Sequence, residues 1–242
     1  MVHAARTFPA VPANLIDQLN AWKPIGQGQT ALRAEYASFV RTYPESALDR
    51  DGGPEHVTAS CFVFTPDLEQ VLLCFHKKGQ FWVQLGGHVE TTDASAGSAA
   101  IREAREEGGI NDITPVGDIL DLDRHALGSG FTRCSVHWDI GFGAIAKKNL
   151  NPSTSAESED VAWWPISGLP DNVPPNFEHR VRRILNGIRE QGAAEQGVAY
   201  LSAGWRGLVG LGPTSGTNTG GKSTRLVSSE TSAMEVQLDA KP

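Results

Sequence analysis

The stretch from Gly86 to Ile110, GGHVETTDASAGSAAIREAREEGGI, places carboxylates at Glu103, Glu106 and Glu107. Residues three and four apart share one face of an α-helix, so a helix here gathers all three acids on one side. Like charges at that spacing destabilise an isolated helix by roughly 0.2–0.5 kcal/mol per pair. A divalent cation would neutralise them. Hard oxygen donors select Mg²⁺, Mn²⁺ or Ca²⁺, and Mg²⁺ held this way keeps waters and bridges to substrate phosphates. Arg102 and Arg105 bracket the acids, and the fork of one guanidinium can hold a carboxylate. Read alone, a Glu/Arg-rich helix is also what an ordinary solvated face contains. The paired glycines before it and Gly108–Gly109 after it set this one apart.

The elements needed to position that helix are legible around it. Residues 95–107 form the helix itself, with Asp93 or Ser95 as N-cap and Gly108–Gly109 as its stop. Its opposite stripe, Ala96, Ala99, Ala100 and Ala104, is small enough to sit close on a sheet, with Ile101 adding to the packing. Strands are expected over 57–64 and 70–76, joined as a hairpin by a turn with Pro66 and Asp67. Further strands are expected over 81–90, through ITPVGDILDLDRH (113–125), over 135–146 and over 160–166. A last helix, 175–191, carries Phe177, Val181, Ile184 and Ile188 on one stripe. Few helices between many strands predict a mixed α/β sandwich. Residues 1–50 read as a helical lead-in, with Leu32, Tyr36, Phe39 and Val40 at helical spacing. Residues 51–191 read as the functional domain and 192–242 as a flexible Gly/Ser/Thr-rich tail.

Arg102–Ile110, R-E-A-R-E-E-G-G-I, resembles the second half of the Nudix box, G-x5-E-x7-R-E-U-x-E-E-x-G-U with U aliphatic. The first half departs from it. Asp93 stands where a Glu is expected, and eight residues rather than seven separate it from Arg102. The chain is thus similar to the Nudix hydrolases, MutT-like members included, over roughly residues 55–190. The resemblance implies a Nudix α/β/α sandwich with a mixed sheet, and water attack on phosphorus in a nucleoside diphosphate-linked substrate. It implies Glu106 and Glu107 as ligands to Mg²⁺ or Mn²⁺, and Glu103 as a further ligand or base held by Arg102. It implies the Gly86 carbonyl as the group that completes the metal shell. A further acid outside the box often serves as base; Glu157 has the best register relative to Trp163, with Glu159, Asp160 and Asp139 as rivals. His88 is placed to touch phosphate, and Arg124 and His125, on an expected loop, to select substrate. Trp82, Phe131 and Trp138 are either base-stacking groups or core.

By subtraction of subgroup signatures, a nucleoside triphosphate, oxidised or not, is the favoured substrate, ahead of a nucleotide sugar or similar diphosphate. A ligand-sensing Nudix module and an isoprenoid diphosphate isomerase are the readings from other classes. The chain has 242 residues, is 40% hydrophobic and carries a net charge of −7. That balance disfavours nucleic acid, whose phosphates need a cationic surplus, so the expected partner is a small nucleotide. The resemblance also implies a homodimer as one state, with the lead-in helix as its candidate surface. No apolar run approaches the roughly 18 residues of a membrane span, no secretory leader is evident, and Cys61, Cys74 and Cys134 lack metal-ligand spacing. A reducing cytoplasm is expected. GTNTGGKS (216–223) matches a phosphate-binding loop in form, but too little chain follows it for that fold.

Overall fold

Strand β1 (Glu55–Phe64) is the spine of a seven-stranded mixed sheet. Its alternation is two-sided: Val57, Ala59, Cys61 and Val63 feed one hydrophobic cluster, Phe62 and Phe64 the other. A strand buried on both faces reads as a continuous apolar run, as this one does. The computed structural model describes Phe8 and residues 11–128, 134–147, 150–156 and 158–191.

Before β1 come α1 (Val11–Ala21) and α2 (Gln27–Thr42); after it come β2 (Gln70–His76), β3 (Phe81–Val83), β4 (Leu85–His88) and α3 (Ala96–Gly108). Then follow β5 (Ile113–Ala126), β6 (Val136–Ala146), β7 (Ser158–Pro165) and a helix over 177–191, here α4. The sheet runs β3-β2-β1-β6-β5, with β4 also on β1 and β7 also on β2. Among the described strands only β1 and β6 pair in parallel, in register from Glu55↔Val136 to Phe64↔Ile145. The expected β1–β2 hairpin meets at one pair, Phe64↔Val71, because β2 spends its length on β7 and β3.

Helices cover both faces, as the α/β/α expectation requires. The alanine stripe of α3 is fully buried with Phe142 and Cys61, and Tyr36 and Phe39 of α2 pack on Trp138 of the same face. On the other face α4 buries Phe177, Val181, Ile184 and Ile188 against Phe62 and Phe64. The lead-in also closes the exposed edge of β5. The buried Gln29 amide donates to the Leu122 carbonyl at 2.8 Å and accepts from the Leu122 N–H at 2.9 Å. One side chain thus stands in for a neighbouring strand, a covering that blunts edge-to-edge pairing. Helix α1 was not specifically expected; Val11, Leu15 and Leu19 are its buried stripe. The tail, the loop-like 216–223 segment, Phe131 and Glu157 lie outside the described residues.

Candidate active site

Helix α3 starts at a reciprocal cap: Ser95 Oγ accepts from Ser98 N–H, and Ser98 Oγ accepts from Ser95 N–H. Ser95, not Asp93, is therefore the N-cap. Gly109, at φ 61°, ends the helix in the left-handed region that favours glycine.

Asp93 is freed for another task. It takes the Arg102 fork on both oxygens, at 3.1 Å from Nε and 3.0 Å from Nη2, and anchors the loop by accepting from Glu90 N–H at 2.8 Å. The same arginine donates to the His88 carbonyl at 3.0 Å, to Glu103 at 2.9 Å and to Glu106 at 3.1 Å. The longer loop and shorter acid thus complete a brace between the strand and the helix. Partial burial disfavours the charge on Arg102, but Asp93 and Glu103 outweigh it and raise its pKa above the ordinary arginine value.

The three acids of α3 differ in setting. Glu107 is buried and accepts from Gly86 N–H at 2.9 Å. The Glu103 side chain is 16% exposed and Glu106 61% exposed, the latter open to solvent. Two glycines make this approach feasible. A Cβ at Gly87 would fall 2.6 Å from Glu103 Oε1, and one at Gly86 2.6 Å from the backbone of Ser60. The bare backbone is a cradle for the Glu103 carboxylate. The donor set is all oxygen, graded from buried to open, and it fits a hard divalent cation with a face left for substrate and water.

The other candidates separate from this group. Arg124 and His125 lie on β5 rather than on a loop. Successive strand residues face opposite ways, so the pair cannot address one ligand together. Arg124 sits 4.7 Å over the Trp138 ring and 3.4 Å from Glu55, while His125 bonds Asp123 at 2.7 Å. Trp138 is core, stacked on Phe39 at 4.5 Å, and Trp82 packs edge-on against Phe75 and Trp164. Asp139 does not line a cleft. It is buried, accepts from Thr58 at 2.8 Å and Ser60 at 2.9 Å, and pairs with Arg180 at 2.8 Å. Burial pushes its pKa up, but Arg180 above all reverses this and holds it below the usual aspartate value. Of the acids near β7, Glu159 accepts from Gln80 at 3.0 Å and Asp160 from the Val161 N–H at 2.8 Å.

The ring of His88 joins a group that local spacing did not reveal. His56↔His137 and Thr58↔His88 are register pairs on β1, so the three imidazoles share the α4 face. Ring centroids lie 4.9 Å apart for His56–His88, 5.0 Å for His56–His137 and 5.6 Å for His88–His137. Burial, then the neighbouring His56 and His125, pulls His137 down to about 4. The signal was non-local: HVT and VHW meet only through parallel pairing.

A family model for the NUDIX domain matches residues 54–186, more than half of the chain, and the chain belongs to that family. No curated protein matches the sequence. Similar solved structures include a NUDIX-family hydrolase from Clostridium perfringens, 24% identical, covering 54% of this chain and 96% of that one, TM-score 0.46. A C. elegans Ap4A hydrolase binary complex is 17% identical, covering 55% and 98%, TM-score 0.46. An E. coli dihydroneopterin triphosphate pyrophosphohydrolase is 17% identical, covering 54% and 95%, TM-score 0.48. Among the described residues no helix is long and apolar enough to cross a membrane.

Proposed function

We propose that the chain hydrolyses a phosphoanhydride bond in a nucleoside triphosphate, oxidised or not, by attack of water on phosphorus. The observation that supports this is the carboxylate face of α3 laid along Gly86–Gly87 and tied to one arginine. Glu106 and Glu107 would hold Mg²⁺ or Mn²⁺, with Glu103 and the Gly86 carbonyl completing the set. When bound, such a cation lowers the pKa of a coordinated water and neutralises the diphosphate.

The chain's own groups set the geometry. Glu107, fixed by the Gly86 N–H, holds the strand and helix at one spacing. Glu103, pressed to Gly87 and oriented by Arg102, accepts the proton of the attacking water at its carboxylate. Arg102 cannot drift toward the phosphates, because Asp93 and the His88 carbonyl occupy its other donors. Glu157, proposed as the acid outside the helix, would share that proton transfer. A cytoplasmic setting and a homodimer through the lead-in remain part of this proposal.

The test is phosphate release, with added pyrophosphatase, across nucleoside triphosphates, oxidised analogues, nucleotide sugars and dinucleotides. Expected is Mg²⁺- or Mn²⁺-dependent turnover, strongest on a triphosphate and lost in Glu106→Gln. Stronger turnover on a nucleotide sugar would replace the substrate class. Binding without turnover anywhere would replace the enzyme reading with a sensor.

A further inference from the structure

His56 opens β1, His137 opens β6 beside it, His88 closes β4 on the other flank, and Cys134 lies two residues before β6. Their candidate donor atoms, three imidazole nitrogens and one sulfur, all lie within 4.8 Å of one another. Ligands around a tetrahedral zinc are about 3.3–3.8 Å apart, given Zn–N near 2.0 Å and Zn–S near 2.3 Å. Drawing in by about 1 Å, a modest side-chain adjustment, closes the set.

Burial supplies the second observation. His56 is fully buried, and neither of its ring nitrogens nor Nε2 of His137 has a hydrogen-bond partner. Buried polar atoms are nearly always satisfied, by protein, water or an ion.

We infer that His56, His88, His137 and Cys134 form a second metal site, for a borderline-soft cation of the zinc type, distinct from the carboxylates of α3. The donor chemistry separates the two: imidazole and thiolate select Zn²⁺, whereas carboxylates select Mg²⁺ or Mn²⁺. The pleat separates them as well. Gly87, against which Glu103 lies, pairs with Ala59 on the α3 face, while His88 pairs with Thr58 on the α4 face. The site ties the starts of β1 and β6 to the end of β4. Its consequence for the reaction is positional, because the His88 carbonyl is a partner of Arg102.

The full chain, stripped with a chelator and kept reduced, is titrated with Zn²⁺ against a chromophoric competitor and, separately, with Co²⁺. Expected is one tight equivalent of Zn²⁺ that raises the thermal midpoint, and a Co²⁺ spectrum with tetrahedral bands and a thiolate charge-transfer band. His137→Gln and Cys134→Ser each weaken Zn²⁺ at least tenfold, Cys134→Ser removes the charge-transfer band, and Glu106→Gln leaves Zn²⁺ affinity within twofold. Should a variant fail to fold, the Co²⁺ spectrum of the unaltered chain decides. Zn²⁺ binding lost in Glu106→Gln but kept in His137→Gln, or a Co²⁺ spectrum without a thiolate band, overturns the site.

Discussion

Two arginines in this chain each hold three carboxylates, and they do opposite work. Arg102 bonds Asp93, Glu103 and Glu106 at the mouth of a glycine-lined strand, with Glu106 open to solvent. Arg180 bonds Asp121 at 2.7 Å, Asp139 at 2.8 Å and Asp123 at 3.4 Å beneath α4, where Asp121, Asp139 and Arg180 itself are buried. Arg183 adds a further bond to Asp121. The inventories are nearly the same; solvent access differs. An open cluster can hand its oxygens to a cation and a substrate. A closed one cannot, and its charges serve to lock β5, β6 and α4 in register.

The largest effect that would sharpen the contrast is on stability at the closed cluster. Arg180→Met leaves the buried Asp139 without its cation and the buried Asp121 with Arg183 alone, and breaking a buried pair costs about 3–5 kcal/mol. Urea unfolding would show it as a lowered midpoint; a loss below about 1 kcal/mol would erase the distinction. Arg102→Ala should do the reverse. Only Glu106 among its partners is open, while the Asp93 side chain is 6% exposed, so stability falls by about 1–3 kcal/mol, less than at Arg180, while turnover falls by roughly 10–100-fold, as when an outer-shell partner of a metal ligand is removed. Asp93→Ala should reproduce most of that loss, with Lys at 102 failing to restore it, because only the arginine fork spans both Asp93 oxygens.

Gln29→Ala tests a polar element that belongs to neither cluster. It strips two buried hydrogen bonds from the β5 edge, and a loss of about 1–2 kcal/mol is expected by thermal or chemical unfolding. The smallest effect is on acid stability. Asp139 has its folded pKa below the ordinary 3.8, so its contribution is present above that value and is lost as pH falls through the folded pKa. Asp121 is raised above 3.8, chiefly by burial, and its contribution runs the other way, being lost as pH rises. The two partly cancel. Unfolding curves between pH 5 and about 2 should therefore sag less steeply than Asp139 alone would give, and Asp121→Asn should steepen them.

How much of this was legible follows the range of the interactions. The strands, α3, its alanine stripe and its carboxylate face were read from periodicity and a local motif, since helix and strand periods act within a few residues. Pairing is non-local, and there the reading thinned. Asp139 reads as a rival base because its alternation with Val136 and Trp138 is visible, while Arg180, 41 residues on, is not. Asp93 departs from the box in residue type and spacing, and no motif count shows its bidentate bond to Arg102. DLDRH reads both as the end of a strand and as a loop, because its charges mask a strand whose acids are paired from α4. The histidine group needed the β4–β1–β6 register, which no local spacing encodes.

The most direct test of the account is the Mg²⁺ dependence of nucleoside triphosphate hydrolysis in the unaltered chain and in Glu106→Gln, each with its unfolding curve. The account predicts that chelation abolishes turnover, that Glu106→Gln lowers it by more than the roughly 10–100-fold loss of an outer-shell partner, and that the two unfolding curves coincide. Turnover that persists in Glu106→Gln at the original rate and the original Mg²⁺ requirement would contradict it, and would remove the open carboxylate face of α3 from the chemistry.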